Sequence, residues 1–110
     1  MPNTTESSNR PASGIFEAAL GVNGAVLRGA KLTMTQAEEN RRKGYNVVIC
    51  GPDYKSNRQR AQSIEQAANG ATVHHAPGGT AGANALYHFQ PAVRGPQGHT
   101  FYESVGRSAR

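Results

Sequence analysis

A chain of 110 residues with a net charge of +5 is bounded to one small domain with one modest core. Its single cysteine, Cys50, excludes an intramolecular disulfide and a Cys-rich zinc site, and no apolar run approaches the ~18 residues that a membrane-spanning helix needs. The cationic excess favours anionic partners, namely nucleic acid, an acidic protein or an anionic membrane surface, and the last lacks a helix with a Lys/Arg-rich face opposite a bulky apolar one.

The first fourteen residues, 1–14, hold almost nothing apolar and read as a linker or disordered arm. The stretch from Ile15 to Lys31 begins with Ile15-Phe16-Glu17-Ala18-Ala19-Leu20, which suits a short helix. Gly21, Gly24 and Gly29 then interrupt anything longer, so this part reads as a loose leading segment. Thr33 to Lys43 predicts a helix. Thr33 with Gln36 and Thr35 with Glu38 both fit a capping box. Glu38 and Glu39 precede Arg41, Arg42 and Lys43, as the helix macrodipole favours. Its apolar stripe is thin, which predicts a surface helix with a solvated cationic end.

Tyr45 to Cys50 is short, β-branched and flanked by glycines, and predicts a buried strand. Cys50 within it reads as a buried small hydrophobe. Gly51-Pro52-Asp53-Tyr54 is a turn. Ser56 with Gln59 predicts the start of a second helix running from Asn57 to Ala68, with Ala61, Ile64 and Ala68 as its inner stripe. Ala71 to Ala76 predicts another strand, completing a β-α-β unit. After the loop Pro77 to Gly82, Ala85 to Phe89 and His99 to Glu103 predict two strands joined through a turn at Arg94 to Gly98. Residues 105–110 read as a frayed tail. The expected fold is α+β: one domain over 15–104, with two helices packed on a small, mostly antiparallel sheet of about four strands.

All four histidines fall in the last third of the chain, at His74, His75, His88 and His99. Imidazole titrates nearest physiological pH, so it gives and takes protons at low cost. Side chains alternate faces along a strand, so His74 and His75 point opposite ways. A hairpin of the last two strands puts His88 and His99 on one face, and one of the 74/75 pair can join them. His74 is the member best suited to a structural role. His75, His88 and His99 are therefore the expected acid/base set for metal-independent cleavage of RNA. One imidazole takes the 2′-OH proton and another protonates the leaving 5′ oxygen. The segment 41–60 carries Arg41, Arg42, Lys43, Lys55, Arg58 and Arg60 against Asp53 alone. Lys55, Arg58 and Arg60, with Arg94 from the last turn, are the expected phosphate ligands. The strand–turn–helix at Ile49 to Arg58 could also receive a phosphate at its helix start, but it carries no Walker or Gly-x-Gly-x-x-Gly pattern. A zinc site competes on histidine count, yet no His-x-x-x-His or His-Glu-x-x-His spacing is present. No metal or cofactor is expected.

Several segments together carry a family likeness. They are Val47-Val48-Ile49-Cys50-Gly51-Pro52-Asp53, Asn57-Arg58, Ala61 to Glu65, His74-His75-Ala76-Pro77, Ala81-Gly82, Ala85-Leu86-Tyr87-His88-Phe89-Gln90-Pro91 and Gly98-His99-Thr100-Phe101-Tyr102. About two-thirds of the chain, 33–103, resembles the C-terminal toxin tips of bacterial polymorphic toxins of the Rhs-repeat and contact-dependent inhibition type. The resemblance implies a toxin domain delivered as part of a secreted bacterial protein, acting in the target-cell cytoplasm. Such a tip is often a nuclease and is neutralised by a cognate immunity protein. Many tips share helices followed by a four-stranded sheet, an order from which the helix between the first two strands departs. The basic charge suits an acidic immunity partner. The expected function is a metal-independent ribonuclease with RNA as substrate, monomeric when free and with no membrane association. The alternatives are a non-catalytic nucleic-acid-binding module, a metal-dependent DNase and a nucleotide-using transferase.

Overall fold

The structure is a computed structural model that describes residues 13–110. Most of the expected polar arm thus lies outside the described residues. The elements run β1 (Gly14–Leu20), β2 (Val26–Leu32), α1 (Met34–Arg42), β3 (Asn46–Cys50), α2 (Tyr54–Asn69), β4 (Thr72–His75), β5 (Tyr87–Pro91) and β6 (Thr100–Tyr102). The strands form one six-stranded sheet in the order β2-β1-β3-β6-β5-β4. The fold is α+β with two helices, as expected, but the sheet is larger and mixed. β3 and β6 pair in parallel, while the other neighbours are antiparallel.

The two extra strands come from the glycine-broken segment. Chain reversal occurs at Val22–Gly24, where Asn23 has φ 60° and Gly24 φ 86°. The Gly21 amide closes the turn by donating to the Ala25 carbonyl at 2.7 Å. Gly24 therefore permits the hairpin rather than ending an element. Gly79 packs against the same turn so closely that a Cβ there would collide with the Asn23 carbonyl.

β3 is central. Val47, Val48 and Ile49 are fully buried because α1 and α2 cover one face of the sheet and irregular chain covers the other. A strand covered on both sides reads as a continuous apolar run. α1 has the Thr33–Gln36 capping box that the sequence predicts. α2 begins earlier than the sequence suggests, because the Asp53 side chain accepts from the Ser56 amide at 3.1 Å and becomes the N-cap. The β3-α2-β4 crossover is present, with β6 and β5 inserted between its two strands.

The helix-side core joins Ile15, Val47, Ile49, Phe89 and Tyr102 to Ala37 of α1 and to Ala61 and Ile64 of α2. On the opposite face Phe16, Val26, Val48, Cys50, Leu86 and Phe101 form a second cluster. Burial, reinforced by Glu103, pushes the Cys50 thiol up to about 12, so it stays protonated. Among the described residues no α-helix covers this second cluster; the C-terminal segment does. Ser108 donates to the Ala83 carbonyl, Ala109 to the Glu103 carboxylate, and Arg110 to the Val26 carbonyl, each at 2.9 Å. Arg107 holds the carbonyls of Gly82 and Ala85. The segment expected to fray is therefore docked, because the apolar face beneath it needs a cover.

Charge is also buried. Arg41 and Glu65 are both 0% exposed and meet at 2.7 Å between Nε and Oε1. Arg41 also donates to the carbonyls of Tyr45, Gln97 and Gly98. Glu65 accepts from Thr100 at 2.8 Å and from Asn69 at 2.7 Å. This network ties both helices to the β5–β6 connection. Arg41 was expected at a solvated helix end, but it lies one turn beyond the buried Ala37 and so shares its inward face.

A cationic aromatic cleft and a histidine row

The alternation of β4 separates the two adjacent histidines. His74 faces the helices and His75 the opposite side, so two histidine-bearing regions arise on one sheet.

On the helix side, the first half of α2 and the strands β4, β5 and β6 enclose a cleft of about 540 Å³. Tyr54, Lys55, Arg58, Gln59 and Gln62 line one wall. Their spacing of one, three and four residues puts them on one stripe of the helix. His74, Tyr87 and Tyr102 line the other wall. His74 Nε2 and the Tyr102 hydroxyl are 2.6 Å apart. The three rings pack with nearly parallel planes: His74 to Tyr87 at 5.6 Å and 10°, His74 to Tyr102 at 5.8 Å and 20°, and Tyr87 to Tyr102 at 6.1 Å and 23°. Burial lowers the His74 pKa, and the neighbouring charges of Arg58 and His75 lower it further. Burial raises that of Tyr102. Both groups are therefore neutral at pH 7, and the His74 imidazole is able to accept a proton.

On the opposite face His75, His88 and His99 form a row. The His75 and His88 rings stack at 5.6 Å, and His88 meets His99 edge-on at 4.6 Å and Phe101 at 5.2 Å. Burial pushes His88 down to about 4, against the opposing pull of the Leu86 carbonyl 3.3 Å from Nδ1. Burial, followed by the Arg41 charge, also lowers His99. The His99 backbone amide donates to Asn46 Oδ1 at 2.8 Å, while its own Nδ1 is buried with no hydrogen-bond partner among the described residues.

His75, His88 and His99 thus come together as the sequence suggests, but apart from the expected phosphate ligands. Lys55 and Arg58 line the cleft with His74 on the other face. Arg60 is exposed on α2 and Arg94 is exposed in the β5–β6 connection, and neither lines that cleft. The sequence reading gives His74 a structural role and leaves Tyr102 out of the site, since a strand tyrosine more often packs in the core or at its rim than stacks on a base. A signal for both was present: a helix covers only one face of a sheet, so the cations of α2 can meet only histidines of one parity. Among the described residues, no group of three or more His, Cys, Asp or Glu side chains is placed to hold a metal ion. No protein-family model, curated protein or solved structure matches the chain.

Proposed function

We propose that this chain is a small metal-independent ribonuclease and that the cleft beside α2 is its active site. The observation that carries the reading is the 2.6 Å contact between His74 Nε2 and the Tyr102 hydroxyl in a cleft that Lys55 and Arg58 also line. A general base, a proton donor and two cations are the parts that transphosphorylation of RNA requires. In the proposed step neutral His74 takes the proton of the 2′-OH, and the 2′ oxygen attacks phosphorus. The bond to the 5′ oxygen breaks, and that oxygen takes the Tyr102 proton. The imidazolium then returns a proton to the tyrosinate across the same contact. The products are a 2′,3′-cyclic phosphate and a free 5′-hydroxyl, and both side chains end as they began. Lys55 and Arg58 neutralise charge on the non-bridging oxygens.

The resemblance to polymorphic-toxin tips extends this reading to a toxin domain delivered within a secreted bacterial protein. It would act on RNA in the target-cell cytoplasm and be neutralised by an acidic immunity protein. The close approach of His75, His88 and His99 favours a second seat for the same chemistry on the opposite face.

The test is incubation of the chain with total bacterial RNA in EDTA, beside His74→Ala and His88→Ala variants. Discrete fragments ending in cyclic phosphate, lost in His74→Ala and kept in His88→Ala, are expected. The reverse pattern moves the chemistry to the histidine row. Intact RNA with the unaltered chain rejects the ribonuclease.

A further inference from the structure

The two walls of the cleft differ in kind, and the difference bears on which nucleic acid could enter. One wall is aromatic: Tyr87 is only partly buried, and it and His74 have ring planes within 10° of each other. Among the described residues the facing wall offers no aromatic surface beyond Tyr54, which is 39% exposed. It offers instead two exposed amides, Gln59 and Gln62, one helical turn apart. Each amide carries two donors and a two-lone-pair acceptor, the complement of a base edge. Lys55 and Arg58 flank them on the same stripe. A stacking surface, amides for an edge and cations for a backbone form a pocket for one base with its phosphate. In a duplex both faces of each base are stacked and the pairing edge is occupied, so this pocket can be filled only by an unpaired nucleotide.

We infer that the cleft selects single-stranded nucleic acid, stacking one unpaired base against Tyr87 and His74 and reading its edge with Gln59 and Gln62. The inference rests on the reading of the cleft as the nucleic-acid site and adds its substrate class and the residues that set base preference.

The experiment uses fluorescently labelled deoxyoligonucleotides. They lack the 2′-OH and so cannot be cut by the proposed route. Anisotropy at fixed salt compares single strands of each base with the same strands annealed. Single strands are expected to bind roughly tenfold more tightly than duplex, with Tyr87→Ala removing about that factor and Tyr87→Phe retaining it. Gln59→Ala and Gln62→Ala alter exposed side chains, so folding is not at issue. They are expected to change the order of preference among the four homopolymers. Equal affinity for single strand and duplex overturns the inference. So does an unchanged base preference in both glutamine variants. Single-strand selectivity without RNA cleavage would leave this inference standing and remove the ribonuclease. His74-dependent cleavage that treats duplex and single strand alike would do the opposite.

Discussion

The two faces of the sheet solve burial differently. The helix face is sealed by two regular elements and pinned by a buried ion pair in which Arg41 and Glu65 each have several partners. The opposite face is sealed by irregular chain, with residues 82–86 and 104–110 laid over Phe16, Val48 and Phe101. The first arrangement depends on directional bonds and tolerates no missing partner. The second depends on apolar area and tolerates modest reshaping. Histidines follow the same division: His74 stands among cations and phenols, while His75, His88 and His99 stand among one another and Phe101.

The sharpest way to break the contrast is Glu65→Leu. It leaves the Arg41 guanidinium buried without its carboxylate and is expected to destabilise the fold by about 3–5 kcal/mol in urea denaturation. A loss under 1 kcal/mol would mean that the three carbonyls around Arg41 suffice. On the other face Leu86→Ala removes a side chain that is 1% exposed. It is expected to cost about 3 kcal/mol by the same measurement, the loose cover relaxing into part of the cavity.

Acid should act mainly through the histidines. His88 is held down to about 4, chiefly by burial, whereas an unfolded chain takes up that proton near pH 6.5. The neutral form belongs to the folded state, so the contribution of His88 is present above about 6.5 and is lost as pH falls towards 4. His74 and His99 are shifted in the same direction. Thermal stability is expected to fall between pH 7 and 4.5, and His88→Leu should flatten that dependence; an unchanged slope in the variant would assign it elsewhere. The smallest effect is reserved for the end of α1. Thr33→Ala removes the side-chain acceptor of the Gln36 amide at 3.1 Å and is expected to cost about 1 kcal/mol, read as a shift in the denaturation midpoint.

Local signals account for what was legible in the sequence. The Thr33 cap, the β-branched run of β3 and the inner stripe of α2 are each set by neighbours within a turn or a strand. The β1–β2 hairpin was hidden for a physical reason. Ile15 packs towards the helices and Phe16 towards the other core, so β1 opens with two adjacent apolar residues in place of an alternation, and its glycines resemble breaks. Strand order was hidden too, because no local feature requires β6 to lie beside β3. The candidate cleft was half legible: its cations stood out as a run, but their partner histidine is decided by which face α2 covers. Arg41 was misread because a charge at a helix end is usually solvated. Its place one turn after Ala37, with Glu65 one turn after Ala61, was the sign that both turn inward.

One consequence of the strand order concerns time. β6 is the last strand along the chain and yet lies in the interior of the sheet, with β3 on one side and β5 on the other. Until Thr100–Tyr102 are in place, β2-β1-β3 and β5-β4 are two unjoined halves, and neither the cleft nor the histidine row has its third strand. Assembly therefore waits on contacts between distant parts of the sequence, the slow step in folding. A chain moving through a narrow passage or leaving a ribosome would remain two loosely connected pieces until β6 emerged. It would then become a complete domain in a single event.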